Sequence, residues 1–224
     1  DDSKLPFLHS QGFIDYDLDG DLDIVAIEKE GDEQFYVFRN NGFNQNGDII
    51  LEQVFSYIQL DGSTSRTLAI ADYDNDGDQD IYIPRKYGKN WLFENQTLQG
   101  SYDNVVYNSN PDNLFIEVAE QNNIHDDSFQ GLGSMGYGAA WGDYDNDNDL
   151  DLYLSNWGIN RLFKNELQVF TDVSSYYDVF SDSLSNGAAW GDYDNDGWLD
   201  LWAGNIRIRD DLFYGGVLED WNNN

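Results

Sequence analysis

Residues 141–165 read WGDYDNDNDLDLYLSNWGINRLFKN. Five aspartates fall between Asp143 and Asp151, and a run of alternating apolar and polar residues follows at once. Alternation of period two marks a strand with one buried face, yet neighbouring carboxylates resist ionising together. A strand that begins this way needs something to neutralise it. The nonamer DYDNDNDLD (143–151) has three counterparts: DYDLDGDLD (15–23), DYDNDGDQD (72–80) and DYDNDGWLD (192–200). Positions 1, 3, 5 and 9 are Asp in every copy.

The flanks repeat with the nonamers. SQGFI, LAIA, GAAWG and GAAWG precede them; IVAI, IYI, LYLSN and LWAGN follow. Further on come QFYVFRN, NWLFEN, NRLFKN and DDLFYGG, and then ILEQVF, LFIEVA, VFTDVS and a weaker GVLED. Each unit therefore predicts four strands of four to six residues, separated by Gly, Asn, Asp and Ser. No stretch carries a helical apolar stripe. Four-stranded units recurring about every 50 to 70 residues predict an all-β chain of β-propeller blades; a two-sheet sandwich with decorated loops is the alternative. The approximate blades are 1–60, 61–131, 132–183 and 184–224, one domain or a fragment of one. The Asn/Ser-rich stretch 95–113 is expected to be a surface loop inserted between the second and third units.

With 224 residues, 16% of them aromatic, the chain can build a core despite a net charge of −32. Disordered acidic segments lack such aromatic content. Eleven Lys+Arg against 43 Asp+Glu exclude the basic patches that nucleic acid and anionic membranes require; cations or basic partners suit the chain instead. No apolar run is long enough to insert in a membrane. There is no cysteine. The sequence opens at Asp1 without Met or a signal peptide, and is expected to be a processed or excised piece of a longer product.

The nonamers have the composition of Ca²⁺ cages. Hard cations of that size take six to eight oxygens in flexible geometry. The expected ligands are Asp15, Asp17, Asp19, Asp21 and Asp23; Asp72, Asp74, Asp76, Asp78 and Asp80; Asp143, Asp145, Asp147, Asp149 and Asp151; and Asp192, Asp194, Asp196, Trp198 and Asp200. Trp198 enters through its carbonyl, since position 7 is expected to contribute backbone oxygen. Position 6 needs a sharp turn, supplied by Gly20, Gly77 and Gly197 and, in the third loop, by Asn148. About four ions are expected, one per loop. Zinc is disfavoured without Cys or His in the loops, and Mg²⁺ tolerates an all-protein cage poorly. An EF-hand would require Glu at position 12, where Ala26, Ile83, Leu154 and Ala203 stand.

At these residues the chain resembles the FG-GAP/VCBS repeat family, the calcium-loop blades of integrin α-subunit propellers and bacterial secreted proteins. AWGDYDNDNDLDLY, NRLFKN and FTDV within 140–173 carry the resemblance most closely. It implies a propeller with a Ca²⁺ loop between the first two strands of each blade, in an extracellular, cell-surface or periplasmic protein. Relatives usually have seven or eight blades. Four units imply an arc of a larger ring, a small four-bladed ring or half of a dimeric one, with the arc preferred.

Catalytic signals are weak. His9 and His125 have no nucleophile motif around them, and GLGSMG (131–136) lacks the lysine of a phosphate loop. No catalytic residue is assigned and no enzyme is expected. Asn95-Gln96-Thr97 matches a glycosylation acceptor. Trp91, Trp157, Trp198, Trp202 and Trp221 are candidates for stacking on sugar; Trp141 and Trp190 hold repeated positions and are expected between blades. The expected function is a Ca²⁺-stabilised module for adhesion, assembly or protein interaction, including self-assembly or association with the rest of a larger propeller. The alternative is a carbohydrate-binding module or an accessory domain of a polysaccharide-degrading enzyme.

Overall fold

The computed structural model describes residues 8–28, 33–59, 63–99, 106–107, 114–126, 135–177, 179, 185–205 and 211–213. Among them there is no helix, and all strand pairing is antiparallel. The first sheet holds β1 (Leu8–Ile14), β2 (Asp23–Glu28), β3 (Glu33–Phe43) and β4 (Ile49–Gln59) in sequence order. The second comprises β5 (Ala69–Ala71), β6 (Asp80–Ile83) and β7 (Trp91–Asn95). A small hairpin, β8 (Leu98–Gln99) with β9 (Val106–Tyr107), then intervenes before β10 (Phe115–Glu117) completes that sheet beside β7. The third holds β11 (Gly136–Gly142), β12 (Asp151–Asn156), β13 (Arg161–Glu166) and β14 (Val169–Asp172). In the fourth, β15 (Ser185–Gly191), β16 (Asp200–Asn205) and β17 (Asp211–Phe213) pair in order; the expected strand GVLED lies outside the described residues.

Each aspartate nonamer joins the first two strands of its sheet. Strand length departs from expectation in the first sheet, where β3 and β4 run 11 residues each. Their ladder shifts register twice, and the turn between them is closed by Asn44, whose side-chain Oδ1 accepts the Asn46 and Asp48 amides.

The sheets pack on one another in chain order, and alternation along each strand sets which residue faces which neighbour. Ile14, Val25, Ile27, Phe35 and Val37 of the first sheet meet Ile81, Ile83, Trp91, Phe93 and Phe115 of the second. Tyr82 and Leu92, on the opposite face of the second sheet, meet Leu152, Leu154, Phe163 and Phe170 of the third. Tyr153 and Leu162 then meet Leu201 and Ala203 of the fourth. Every sheet thus has a backward face and a forward face. First strands approach especially closely: a Cβ on Gly138 of β11 would lie 2.9 Å from the Asn186 carbonyl oxygen of β15, a distance only glycine permits.

Several sequence expectations need correction. The stretch 95–113 is not wholly a surface loop, because Asn95 and Thr97 are buried between the first two sheets. The Asn95 Nδ2 and the Thr97 hydroxyl both donate to the Tyr16 carbonyl, at 3.0 and 2.8 Å. An Asn so engaged offers no free amide for a glycan. Trp91 is likewise core, with the Arg85 guanidinium 4.0 Å above its ring, and Trp157 is stacked on Tyr137 at 4.4 Å. Trp221 lies outside the described residues, as does GLGSMG apart from Met135 and Gly136. Trp141 and Trp190 do sit between sheets.

Candidate metal centres

Each nonamer folds on its own carboxylates. The position-1 aspartate accepts the position-6 amide through Oδ2 in all four loops: Gly20 to Asp15, Gly77 to Asp72, Asn148 to Asp143 and Gly197 to Asp192, at 3.0–3.2 Å. The position-5 aspartates Asp19, Asp76, Asp147 and Asp196 each accept the amide two residues on. Position 6 is left-handed throughout, with φ from 73° at Asn148 to 102° at Gly77. Position 4 is left-handed as well, at Leu18, Asn75, Asn146 and Asn195. Asn adopts that region at less cost than Leu.

Position 9 fastens the loop to its sheet. Asp23, Asp80, Asp151 and Asp200 are buried and accept the position-2 amide of Tyr16, Tyr73, Tyr144 or Tyr193. In the first three loops the other oxygen accepts the amide of a third-strand Asn, at 2.8 Å for Asn40, Asn95 and Asn165 alike. Loops also bond to neighbouring loops. The Asn75 side chain donates to the Asn148 carbonyl of the next loop, and Asn146 repeats the bond to Gly197.

The geometry brings three carboxylates together in each loop, with ligand oxygens within 4.8 Å of one another: Asp72, Asp74 and Asp80; Asp143, Asp145 and Asp151; Asp192, Asp194 and Asp200; and, in the first loop, Asp15, Asp17 and Asp19. Asp76, Asp147 and Asp196 adjoin these triads without joining them, as does Asp23. The side chains of the position-7 residues Asp21, Asp78 and Asp149 also stand outside; Asp78 and Asp149 accept the Leu98 and Leu167 amides, and the ligand expected from this position, in Trp198 as in the others, is the backbone carbonyl. The side-chain donors of each triad are carboxylate oxygens. Buried oxygens without a hydrogen-bond donor remain on Asp15 and Asp145, as a cation ligand would require.

What stands over each loop differs. In the first, the Arg39 guanidinium lies 2.9 Å from Asp17 and 3.2 Å from Asp19. In the third, Lys164 Nζ lies 2.7 Å from Asp145 and 3.7 Å from Asp147. The equivalent residue over the second loop is Glu94, which accepts the Tyr73 hydroxyl at 2.9 Å. These residues belong to third strands, so nothing within the nonamers signals them.

Protonation follows the same layout. Burial, reinforced by Asp76 and Glu94, pushes the Asp74 carboxyl up to about 7. Burial likewise raises Asp151 and Asp78 to about 8 and Asp23 to about 6, against the amides each accepts. Asp80 is raised well above the carboxylate range by burial. Hydrogen bonding to Asp145 leads the causes that raise Lys164. Without a cation, several loop carboxylates hold protons near neutral pH. A divalent ion would displace them.

The family model for an FG-GAP-like repeat matches residues 15–83 and 143–203, more than half the chain. The chain belongs to the FG-GAP-like repeat family. Both matched segments begin at the first aspartate of an FG-GAP nonamer, and the pair spans all four nonamers. No curated protein sequence matches the chain. Among the described residues, no helix is long and apolar enough to cross a membrane.

Proposed function

We propose that this chain is a Ca²⁺-stabilised propeller module of FG-GAP type that acts outside the cytoplasm by binding other proteins. The observation that carries the reading is the fourfold triad of carboxylates, built at the joint between consecutive sheets. Asp72, Asp74 and Asp80 would hold one ion; the equivalent residues of the other loops would hold the rest. A bound ion would supply positive charge to each triad, which only the first and third loops receive in part from Arg39 and Lys164. The chain's own residues do the structural work: position 9 ties loop to strand, Asn75 and Asn146 tie their loops to the next loop, and Asn95 and Asn165 tie the preceding loop to the adjacent sheet. Sheets stacked in chain order, each with a forward and a backward face, support the propeller arrangement.

FG-GAP repeats generally serve interaction rather than catalysis, and the acidic surface favours cationic or basic partners. A carbohydrate-binding role would draw on Trp198 and Trp202, the exposed tryptophans among the described residues; a glycan array in Ca²⁺ would register it as saturable binding. Ion counting tests the main reading. Equilibrium dialysis should find about four Ca²⁺ per chain, displaced poorly by Mg²⁺. No bound Ca²⁺, or equal displacement by Mg²⁺, would refute the calcium reading.

A further inference from the structure

The ends of the sheets opposite the nonamers are built from other chemistry. There the connection between β6 and β7 and the segment leading into β5 hold each other. The Lys86 amide donates to the Thr64 carbonyl at 2.8 Å, and the Tyr87 amide donates to Ser63 Oγ at 3.1 Å. The third sheet closes on them: the Gly136 amide donates to the Arg85 carbonyl at 3.0 Å, and a Cβ on Gly136 would lie 2.9 Å from the Arg85 nitrogen. Met135 and Trp157 exchange backbone hydrogen bonds beside this contact. Trp157 Nε1 donates in turn to Asn186 Oδ1 of the fourth sheet at 3.2 Å.

Cations and aromatic rings are layered on this frame. Tyr137 and Trp157 stack with centroids 4.4 Å apart and 6° between planes. The Arg66 guanidinium lies 5.1 Å from the Tyr137 centroid, and Lys86 Nζ lies 4.8 Å from that of Tyr87 and 5.7 Å from that of Trp157. Arg66 and Tyr87 are exposed, and Lys86 and Trp157 are half-buried. Hydrogen bonding to Tyr87 leads the causes that raise the Lys86 ammonium above the ordinary lysine value, so its charge persists at neutral pH. Other described cations are matched by carboxylates: Arg39 by Asp17, Lys89 by Glu120, Arg161 by Asp172 and Lys164 by Asp145. Arg66 and Lys86 make no ion pair among the described residues, although the chain has 43 Asp+Glu.

We propose that this end of the second and third sheets docks an acidic segment of a partner protein, with Arg66 and Lys86 pairing its carboxylates and Tyr87 and Trp157 packing on its apolar atoms. The inference rests on the protein-interaction reading above and gives that reading a surface. Charge complementarity carries it: cations held over ring faces keep N–H groups for an incoming carboxylate. Arg, Tyr and Trp are the residues that concentrate binding energy at protein interfaces. Side chains already fixed by stacking lose little freedom on docking. The loop carboxylates lie too far away to repel such a partner. The six residues of β12 separate the two ends by about 20 Å, at roughly 3.3 Å per residue, against a Debye length of about 8 Å at physiological ionic strength.

Fluorescence anisotropy on the 224-residue chain in Ca²⁺ tests this with a labelled glutamate-rich peptide, its glutamine counterpart and a labelled oligogalacturonate. Saturable binding is expected for the glutamate peptide at physiological ionic strength and none for the glutamine peptide. Arg66→Gln and Lys86→Gln should each weaken it by about tenfold, the worth of one solvent-accessible charge pair, while Lys86→Arg should retain it. Equal binding by wild type and both glutamine variants, as through Ca²⁺ at the loops, overturns the proposal. Oligogalacturonate bound in preference to the peptide overturns it as well, by making the ligand an acidic glycan. A chain that takes up its full Ca²⁺ complement yet ignores the glutamate peptide also overturns this surface, and leaves the calcium reading intact.

Discussion

The second and third loops carry the same four repeated aspartates at positions 1, 3, 5 and 9, the same self-bonding and the same outgoing Asn latch. They differ in what lies above the triad. Glu94 adds a carboxylate to the second loop, while Lys164 holds Asp145 and Asp147 of the third in ion pairs. A cation entering the third loop must displace an ammonium already there; one entering the second meets an additional negative charge. On the proposed calcium reading, the nonamer sets where a cation can sit, and a third-strand residue far from it in sequence sets how strongly it would be held.

The likeness between the loops can be broken at position 9. Asp80→Ala or Asp151→Ala leaves two buried amides without an acceptor, and each such loss costs about 1–3 kcal/mol. Both variants should lose about 3–5 kcal/mol in denaturant unfolding with Ca²⁺ present. A loss confined to one loop would show that the two are not built alike.

The difference should invert on exchange. Glu94→Lys in the second loop and Lys164→Glu in the third should weaken and tighten Ca²⁺ respectively, each by about ten- to a hundredfold. Charges a few ångströms apart at a partly buried site interact by a few kcal/mol, and each 1.4 kcal/mol is roughly a decade. Site-resolved titration measures this directly, and unchanged affinities would remove the lysine from the account. A smaller refinement concerns position 6. Asn148 is at φ 73°, so Asn148→Gly should relieve strain and tighten the third site by up to about tenfold; Asn148→Val should weaken it.

Smaller again is Leu18, which occupies the left-handed position 4 of the first loop at φ 57°. Leu18→Asn should raise stability by about 1 kcal/mol, since Asn lessens the left-handed penalty. Thermal melting would record this as a modest rise, and no change would mean that the loop absorbs the strain elsewhere.

Much of this layout was legible before the fold. The nonamer repeat located the strands around it, the turn at position 6 was readable from Gly20, Gly77 and Gly197, and Trp141 and Trp190 announced their place between sheets by recurring. Position 4 was missed although Asn75, Asn146 and Asn195 carried the signal, because Leu18 broke it. Arg39, Glu94 and Lys164 could not be read as loop residues, since only the strand register brings them over the triads. Asn95 resembled a surface sequon because three residues in isolation do not reveal the Tyr16 carbonyl that they meet. Trp91 resembled an exposed platform for the same reason.

Whether these loops are cation-dependent joints between sheets can be read from melting with and without chelator at two pH values. The folded-state carboxyls of Asp23, Asp74, Asp78 and Asp151 are raised to about 6, 7, 8 and 8, so the folded chain binds more protons than the unfolded one between about pH 4 and 8. In chelator, stability should therefore fall as pH rises through that window. Ca²⁺ bound as proposed would replace those protons and stabilise by mass action, on the order of 3–4 kcal/mol per site at a hundred to a thousand times Kd. A large Ca²⁺-dependent rise in Tm is expected at pH 7.5, narrowing at pH 5.5. Identical melting curves with Ca²⁺ and with chelator at pH 7.5 would contradict it.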